Sequence, residues 1–563
     1  MTASLPAPTR AVRPRVRLAL ASVAVAFAAA DTYVVVLALP ELMAGVGLSA
    51  DELQRAAPII SGFLLGYIAV LPLIGRIADV VGRTPVLVGA LVLFAVGSLI
   101  TAAAYDLPLV VTGRFLQGVG GGGLVPATLA LVADLWPAER RGLPLGVVGA
   151  VQELGSVLGP LLGAAVLAVA DWRYIFWLNL LVAVVLAVLL RGVRRPPWSA
   201  AVGVLACVAL GLTLAPPQRL ATDVTLGLPF VPFSGDSRLL TPIGIVALVL
   251  ALAWAALVLW RARKQLSGVL GQIDLIGALL LALALSGVVL AFATADPERE
   301  LMSPAGPWLL VGAAVFAVLF ALWQRRTTHA IVPAGLLRPG AAWGSLLVSF
   351  LVGCALIAAL VDVPVFARTT QGGGQLAAAL VLLRFLIALP VGAVVGGWLT
   401  RRYGLGWITG AGLALAGAMF VVMAFWSRDA LDHFASTAVL LLCGFGFGLA
   451  LSPVNTAVLG VTPAHSHGLV SALVVVARMV GMLVGVSALT AIGLRRYFAL
   501  VADVPSPNEL CPDSPASCRP FVDALQDAAV SQVHTIFAGA AVCAFLAAIL
   551  AVALLGRRVV VHT

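Results

Sequence analysis

Residues 85–104 read Pro85-Val-Leu-Val-Gly-Ala-Leu-Val-Leu-Phe-Ala-Val-Gly-Ser-Leu-Ile-Thr-Ala-Ala-Ala104, twenty positions without a single charge. At about 1.5 Å of rise per residue, such a run makes a helix roughly 30 Å long, the thickness of a bilayer's hydrocarbon core. A membrane barrel strand would instead be a segment of about ten residues alternating apolar and polar, and this run does not alternate. One spanning helix is therefore the reading of this stretch.

The pattern repeats on both sides. Runs at 18–39, 57–77, 85–104, 107–133, 143–169 and 172–190 predict a first bundle of six helices, and runs at 343–366, 376–400, 405–426, 435–460, 468–493 and 533–555 a second. Between them lie four further runs, at 199–215, 239–260, 273–294 and 307–323, for sixteen spans in all. The run 199–215 is short and rich in small residues. If it fails to span, parity requires 239–260 to fail with it, leaving fourteen. The expected organisation is a cytoplasmic tail at 1–17, a bundle at 18–195, an inserted pair at 196–272, a linker pair at 273–341, a second bundle at 342–556 with a periplasmic extension at 494–532, and a tail at 557–563.

Composition agrees. The chain of 563 residues is 62% hydrophobic and only 10% charged, with a mean hydropathy of +1.10. That is too little polar surface to coat a soluble globule, and helices satisfy their own backbone groups in lipid. The net charge of +10 rests almost wholly on arginine, with Lys264 as the lone lysine. These residues do not form a nucleic-acid patch. With the N-terminus inside, 21 fall in cytoplasmic tails and loops, 10 outside and 3 within spans, which orients both termini to the cytoplasm of an inner membrane. The first apolar run holds Asp31 and lacks a cleavage site, so it reads as a retained helix.

Six scattered histidines, no H-E-x-x-H and no phosphate-binding loop leave nothing from which to build an enzyme, and neither metal nor cofactor is expected. Cys207, Cys354, Cys443 and Cys543 lie in apolar runs and read as packing residues. Cys511 and Cys518 instead share a polar external loop, Glu509-Leu-Cys511-Pro-Asp-Ser-Pro-Ala-Ser-Cys518, and are candidates for a local disulfide.

Four motifs resemble the major facilitator superfamily. The loop after the second run, Gly75-Arg-Ile-Ala-Asp79-Val-Val-Gly82-Arg83, is similar to that family's G-x-L-a-D-r-x-G-r signature. The resemblance implies a conformational latch in which Asp79 meets the start of the eleventh core helix. Arg114-Phe-Leu-Gln117-Gly118-Val-Gly120 resembles the family's fourth-helix pattern, whose arginine is linked to proton movement. Gly120 to Gly123 read as close helix packing or a bend. Gln152-Glu153-Leu-Gly155-Ser-Val-Leu-Gly159-Pro160-Leu-Leu-Gly163 resembles the antiporter motif of proton-coupled exporters. Asp171-Trp-Arg173-Tyr-Ile-Phe-Trp-Leu-Asn179 is similar to the start of the sixth helix in drug exporters of the 14-helix type.

A narrower resemblance runs through Asp31-Thr-Tyr-Val-Val-Val, Phe385-Leu-Ile-Ala-Leu-Pro390 and Val475-Val-Ala-Arg478-Met-Val-Gly481-Met to the mycobacterial triacylglyceride exporters that work with an LprG-type lipoprotein. It covers both bundles and the linker pair but not 196–272. It also leads one to expect an aromatic residue where this chain has Arg384. What it implies is an all-α major facilitator fold, a monomer, a lipid or amphiphilic substrate, and protons as the driving ion. Multidrug efflux is the alternative.

Counting rise along each helix puts Glu153 and Arg478 about 15 Å from their cytoplasmic ends, Asp31 about 20 Å up the first helix and Arg384 about 12 Å from the outer end of its own. Charges at that depth face protein and pair. Arginine stays charged, so the acids do any switching. Two readings stand: an acid–arginine lock released by protonation, or permanent ion pairs that fix packing. Asp362 reads as interfacial, and Asp134, His465 and His467 as solvated at the cytoplasmic edge. After Gly493 the chain continues Leu-Arg495-Arg496-Tyr-Phe-Ala-Leu-Val with no breaker before Pro505, and Phe521, Val522, Leu525, Ala528, Ala529, Val533 and Ile536 keep helical spacing on the return. A helical hairpin above the membrane is expected, with an ordinary ordered loop as the alternative.

Overall fold

In a computed structural model the chain is described at residues 14–48, 53–191, 198–216, 228–233, 238, 241–270, 274–293, 303–327, 330–333, 335–371, 375–511 and 518–555. Arg10, Arg13, Arg194, Arg195, Arg557 and Arg558, which contribute to the predicted orientation, lie outside these residues, as does most of the loop between Cys511 and Cys518.

Every long element described is a helix. The first six are α1 (Pro14–Gly45), α2 (Leu53–Val81), α3 (Arg83–Ala102), α4 (Leu107–Leu135), α5 (Gly142–Leu167) and α6 (Arg173–Arg191). The inserted pair is α7 (Trp198–Leu214) and α8 (Pro242–Leu270), and the linker pair α9 (Leu275–Ala293) and α10 (Gly306–Gln324). Then come α11 (Gly340–Gln371), α12 (Gln375–Leu399), α13 (Leu405–Met423), α14 (Phe434–Val461), α15 (His467–Ala502), the single turn α16 (Pro507–Leu510) and α17 (Arg519–Leu555). Among the described residues twelve helices are long and apolar enough to cross a membrane, and α7 and α8 add the shorter apolar stretches Ala200–Leu214 and Pro242–Leu257. The helices α1 and α5, of 32 and 26 residues, cover the first and fifth expected spans.

Packing divides the chain into two compact units. The first takes in the chain to Leu131 together with Leu158–Leu275, and the second Val132–Val157 together with the chain from Ile276. The packing boundaries fall inside α4, inside α5 and at the start of α9. Small residues explain the division. A Cβ on Gly397 would stand 3.1 Å from Ser452 Oγ and also strike the Gly142 carbonyl, and Ser452 Oγ donates to that carbonyl at 2.7 Å. The first half of α5 therefore lies backbone to backbone on α12 and accepts a side-chain hydrogen bond from α14.

Within the first unit, α4 is bound to its neighbours through glycine. A Cβ at Gly120 would sit 2.6 Å from Ala90 O of α3, one at Gly122 2.8 Å from Tyr67 O of α2, and one at Gly118 2.9 Å from the Phe63 carbonyl carbon. Removing side chains there lets helices approach until dispersion between backbones replaces the hydrophobic drive that lipid cannot supply. The inserted pair belongs to this unit: Gly203 of α7 accepts the Trp254 ring of α8, Gly211 faces Leu99 of α3, and Arg238 donates to Leu214 O at 2.7 Å while lying 4.6 Å over the Tyr105 ring.

In the second unit, α15 and α17 are the longest helices, at 36 and 37 residues. At 1.5 Å per residue each is about 54 Å long against a hydrocarbon core of about 30 Å, so both overrun it. Gly493 of α15 packs on Ile536 and Gln532 of α17, and Cys511 is bonded to Cys518 at the tip. A polar clasp fastens the outer part of α17. Arg428, in the loop after α13, donates through Nε to Asp527 at 2.6 Å and through Nη2 to Asp523 O at 2.7 Å, and Gln526 Nε2 reaches Thr369 O of α11 at 2.6 Å.

Candidate functional site

The first unit holds a buried polar network on a background of apolar helices. Asp31 of α1 is 1% exposed, and its two carboxylate oxygens are taken by different helices. Arg114 Nη1 of α4 donates to Oδ2 at 2.5 Å, and Asn179 Nδ2 of α6 donates to Oδ1 at 2.5 Å. Arg114 also donates to Gln117 Oε1 at 3.1 Å, whose amide in turn donates to Ser98 Oγ at 2.9 Å. Its guanidinium lies 4.3 Å over the Phe63 ring and 5.9 Å from that of Phe176. A cation in hydrocarbon is thus neutralised by one carboxylate and shielded by aromatic faces.

The neighbouring motif residues shape this site. Asp171 Oδ1 accepts the Arg173 backbone N–H at 2.9 Å at the start of α6, and Trp172 packs at right angles on Phe176. That fixes the helix carrying Asn179. From α5, Gly159 meets the backbone of Ala30, one residue before Asp31, so closely that a Cβ would stand 3.0 Å from Ala30 Cα. Gly155 and Gly163 are buried on the same helix. Pro160 continues α5 without breaking it.

The second unit holds a separate pair. Arg478 Nη1 of α15 lies 3.7 Å from Glu153 Oε1 of α5, with side-chain exposures of 13% and 10%. The contact is longer and wetter than that at Asp31. Close packing supports it: Gly353 of α11 fits against the Arg478 backbone so closely that a Cβ there would stand 2.9 Å from Met482 N. Arg384, expected among the charges at this depth, donates to Thr437 Oγ1 of α14 at 3.0 Å and is not brought to a carboxylate among the described residues.

In the latch motif Gly75 lies within α2, and Arg83 Nη1 bonds both Asp79 Oδ1 at 2.7 Å and Ala78 O at 2.5 Å. Gly82 joins α2 to α3 with φ of 101°, a backbone state that a side chain would strain. Two expectations are corrected. Asp362 is buried within α11, one turn from Phe366, instead of interfacial, and His467 is buried with Nε2 at 3.1 Å from Thr462 O instead of solvated. The helix carrying Asp362 runs on to Gln371, past its apolar run, and His467 is the first residue of α15. Asn179 and Gln117 complete the Asp31 site. Both stood inside recognised motifs, but their neutral side chains carried no signal of what they touch.

The comparisons with known proteins concern the family and the fold. The sequence pattern of the Major Facilitator Superfamily matches residues 21–486. A triacylglyceride transporter of Mycolicibacterium hassiacum is 37% identical over 508 residues, covering 87% of this chain and 82% of the relative. The triacylglyceride transporter of Mycobacterium tuberculosis H37Rv is 36% identical over 505 residues, covering 87% and 84%. Among solved structures, a human organic anion transporter superposes with a TM-score of 0.54 at 15% identity over 96% of this chain and 100% of that one. A proton:xylose symporter does so with a TM-score of 0.52 at 15% identity over 95% and 94%. At that identity these two speak to the fold alone.

Proposed function

The chain belongs to the major facilitator superfamily, and from that premise we propose that it is a proton-coupled exporter carrying triacylglyceride-like lipid from the inner membrane toward the outer envelope by alternating access. The observation that carries the reading is the pair of buried acid–arginine contacts, Asp31 with Arg114 and Glu153 with Arg478. A carboxylate held in hydrocarbon by one arginine is released when it takes up a proton, because the neutral acid no longer needs its partner. Protonation of Glu153 then frees α5 from α15, and protonation of Asp31 frees α1 from α4. Arg114 and Arg478 remain charged throughout and set where each acid returns.

Lipid is the favoured cargo for two reasons. Relatives bearing the name of triacylglyceride transporter align with most of the chain. The overlong α15 and α17 also carry apolar side chains beyond the span, with Phe498 and Val522 more than half exposed. A lipid leaving the bilayer would expose apolar area at about 25 cal/mol per Å². A track above the headgroups keeps that area covered until a periplasmic carrier, on this reading an LprG-type lipoprotein, accepts it. The protein acts as a monomer, with no enzymatic step. Drug–proton antiport is the second reading, favoured by the glycine-mediated contact of α5 with α1.

The test is reconstitution. Purified protein in liposomes under an imposed proton gradient should deplete a labelled triacylglyceride from the donor leaflet, and cells lacking the gene should show altered envelope lipids. Gradient-driven movement of a soluble dye without movement of the lipid would transfer the assignment to drug efflux.

A further inference from the structure

Of the arginines expected deep in the membrane, Arg114 and Arg478 meet acids and Arg384 does not. Arg384 Nη1 donates to Thr437 Oγ1 at 3.0 Å, and no other hydrogen bond or ion pair holds its guanidinium among the described residues. Arg114 Nε is sealed in without a partner, whereas no nitrogen of Arg384 is, so its remaining donors stay open. Depth tells what they meet. Arg384 stands about 14 Å along α12 from its start at Gln375, and Thr437 only about 5 Å along α14 from its start at Phe434. Both starts lie on one side of the membrane, since the single return helix α13 separates them. To reach Thr437 the side chain leans toward that surface, its stem in hydrocarbon and its charged head carried to the level of the headgroups.

The faces carrying these two residues are otherwise apolar. Leu380 and Ile387, at i−4 and i+3 from Arg384, are at least half exposed, and Phe434, three residues before Thr437, is exposed too. The acids ahead of α14 are engaged elsewhere: Asp432 accepts from Gln371 Nε2 at 3.0 Å, and Asp429 pairs with His433. An open guanidinium fork beside a hydroxyl, on faces of bare hydrocarbon, suits two oxygens that share a negative charge and are tethered to acyl chains. We infer that Arg384 and Thr437 bind the phosphate of a glycerophospholipid, in the outer leaflet on the expected orientation, with its chains along Leu380, Ile387 and Phe434. Arg384 supplies N–H donors to both free phosphate oxygens. The Thr437 hydroxyl accepts from Nη1 and donates its own proton to one of them. A triacylglyceride has no such group, so this lipid is a resident of the second unit and distinct from the cargo proposed above.

The experiment is equilibrium lipid binding to the purified full chain in a neutral detergent, read by native mass spectrometry at the tightest site. Dioleoyl phosphatidylglycerol is the probe, and dioleoylglycerol, which has the same chains and no phosphate, is its control. Arg384→Gln should weaken phosphatidylglycerol binding at least roughly tenfold, since charge-assisted bonds are lost, and leave dioleoylglycerol binding unchanged. Arg384→Lys, a point charge without the fork, should fall between. Thr437→Val, close to isosteric, should weaken phosphatidylglycerol binding roughly threefold through one lost hydrogen bond. Phosphatidylglycerol affinities in Arg384→Gln and Thr437→Val equal to that of the wild type overturn the inference. An equal loss of both lipids also overturns it, because the change is then to the apolar surface. Displacement of phosphatidylglycerol from the wild type by inorganic phosphate would show a site for the free ion and overturn the assignment to lipid.

Discussion

Replacing Glu153 by glutamine removes one charge from the α5–α15 contact while keeping its shape. At 3.7 Å, with both side chains almost buried, the ion pair has a gross attraction of about 4 kcal/mol for an effective dielectric near 20. Desolvation offsets a good part, leaving about 2 kcal/mol in favour of the conformation in which the two groups touch. Since 1.4 kcal/mol is a factor of ten, Glu153→Gln should shift the balance between conformations roughly 30-fold away from this one. Spin labels at the inner ends of α5 and α12, whose glycine seam holds in the same conformation, report that balance as a distance distribution. In the wild type a long-distance population should grow as pH falls, and in Glu153→Gln it should be large at every pH. The double variant Glu153→Gln/Arg478→Gln should lie nearer the wild type than Arg478→Gln alone, because the stranded charge is gone. A Glu153→Gln distribution identical to the wild type and still sensitive to pH would mean that the pair only fixes packing.

Three further outcomes are expected. Asp31→Asn leaves Arg114 buried without its counter-charge, and should lower stability in detergent by about 3 kcal/mol, read as a fall in unfolding temperature, together with loss of transport. Gly82→Val should strain the α2–α3 turn at its φ of 101° by about 1–2 kcal/mol and shift the conformational balance as Asp79→Asn does; an unchanged distance distribution in both would count against a latch in this loop. Arg428→Ala removes the clasp on α17, so the outer turn around Asp523 should exchange its amide hydrogens faster while those near Ala540 do not, and lipid export should drop more than dye efflux.

Much of the architecture could be read from the chain because lipid imposes a simple rule: runs such as 85–104 must be helices, and there are enough of them for a major facilitator fold. Depth could be read too, since 1.5 Å per residue brings Glu153 and Arg478 to one level. Rotation about each helix axis could not. Asp31, Arg384 and Arg478 were candidates for the same layer, yet Asp31 turns toward Arg114 and Asn179, whereas Arg384 turns toward Thr437. A shift of 100° in helical phase is enough to exchange such partners, and an almost uniformly apolar helix gives the sequence no stripe from which to take that phase. The packing boundary inside α5 was hidden for a related reason. Gly142 and Gly397 announce that something comes close, but not what.

The glycines of α4 have a consequence for the order of events. With Gly118, Gly120 and Gly122 seated on the backbones of α2 and α3, sliding or rolling α4 would drive main chains into one another. Arg114 is thus mounted on a fixed post. On the proposed reading, when Asp31 gains or loses its proton, the arginine cannot travel to follow it and the displacement falls to α1. The proposed site would then work as a hinge with one leaf bolted down, α1 being the leaf that swings.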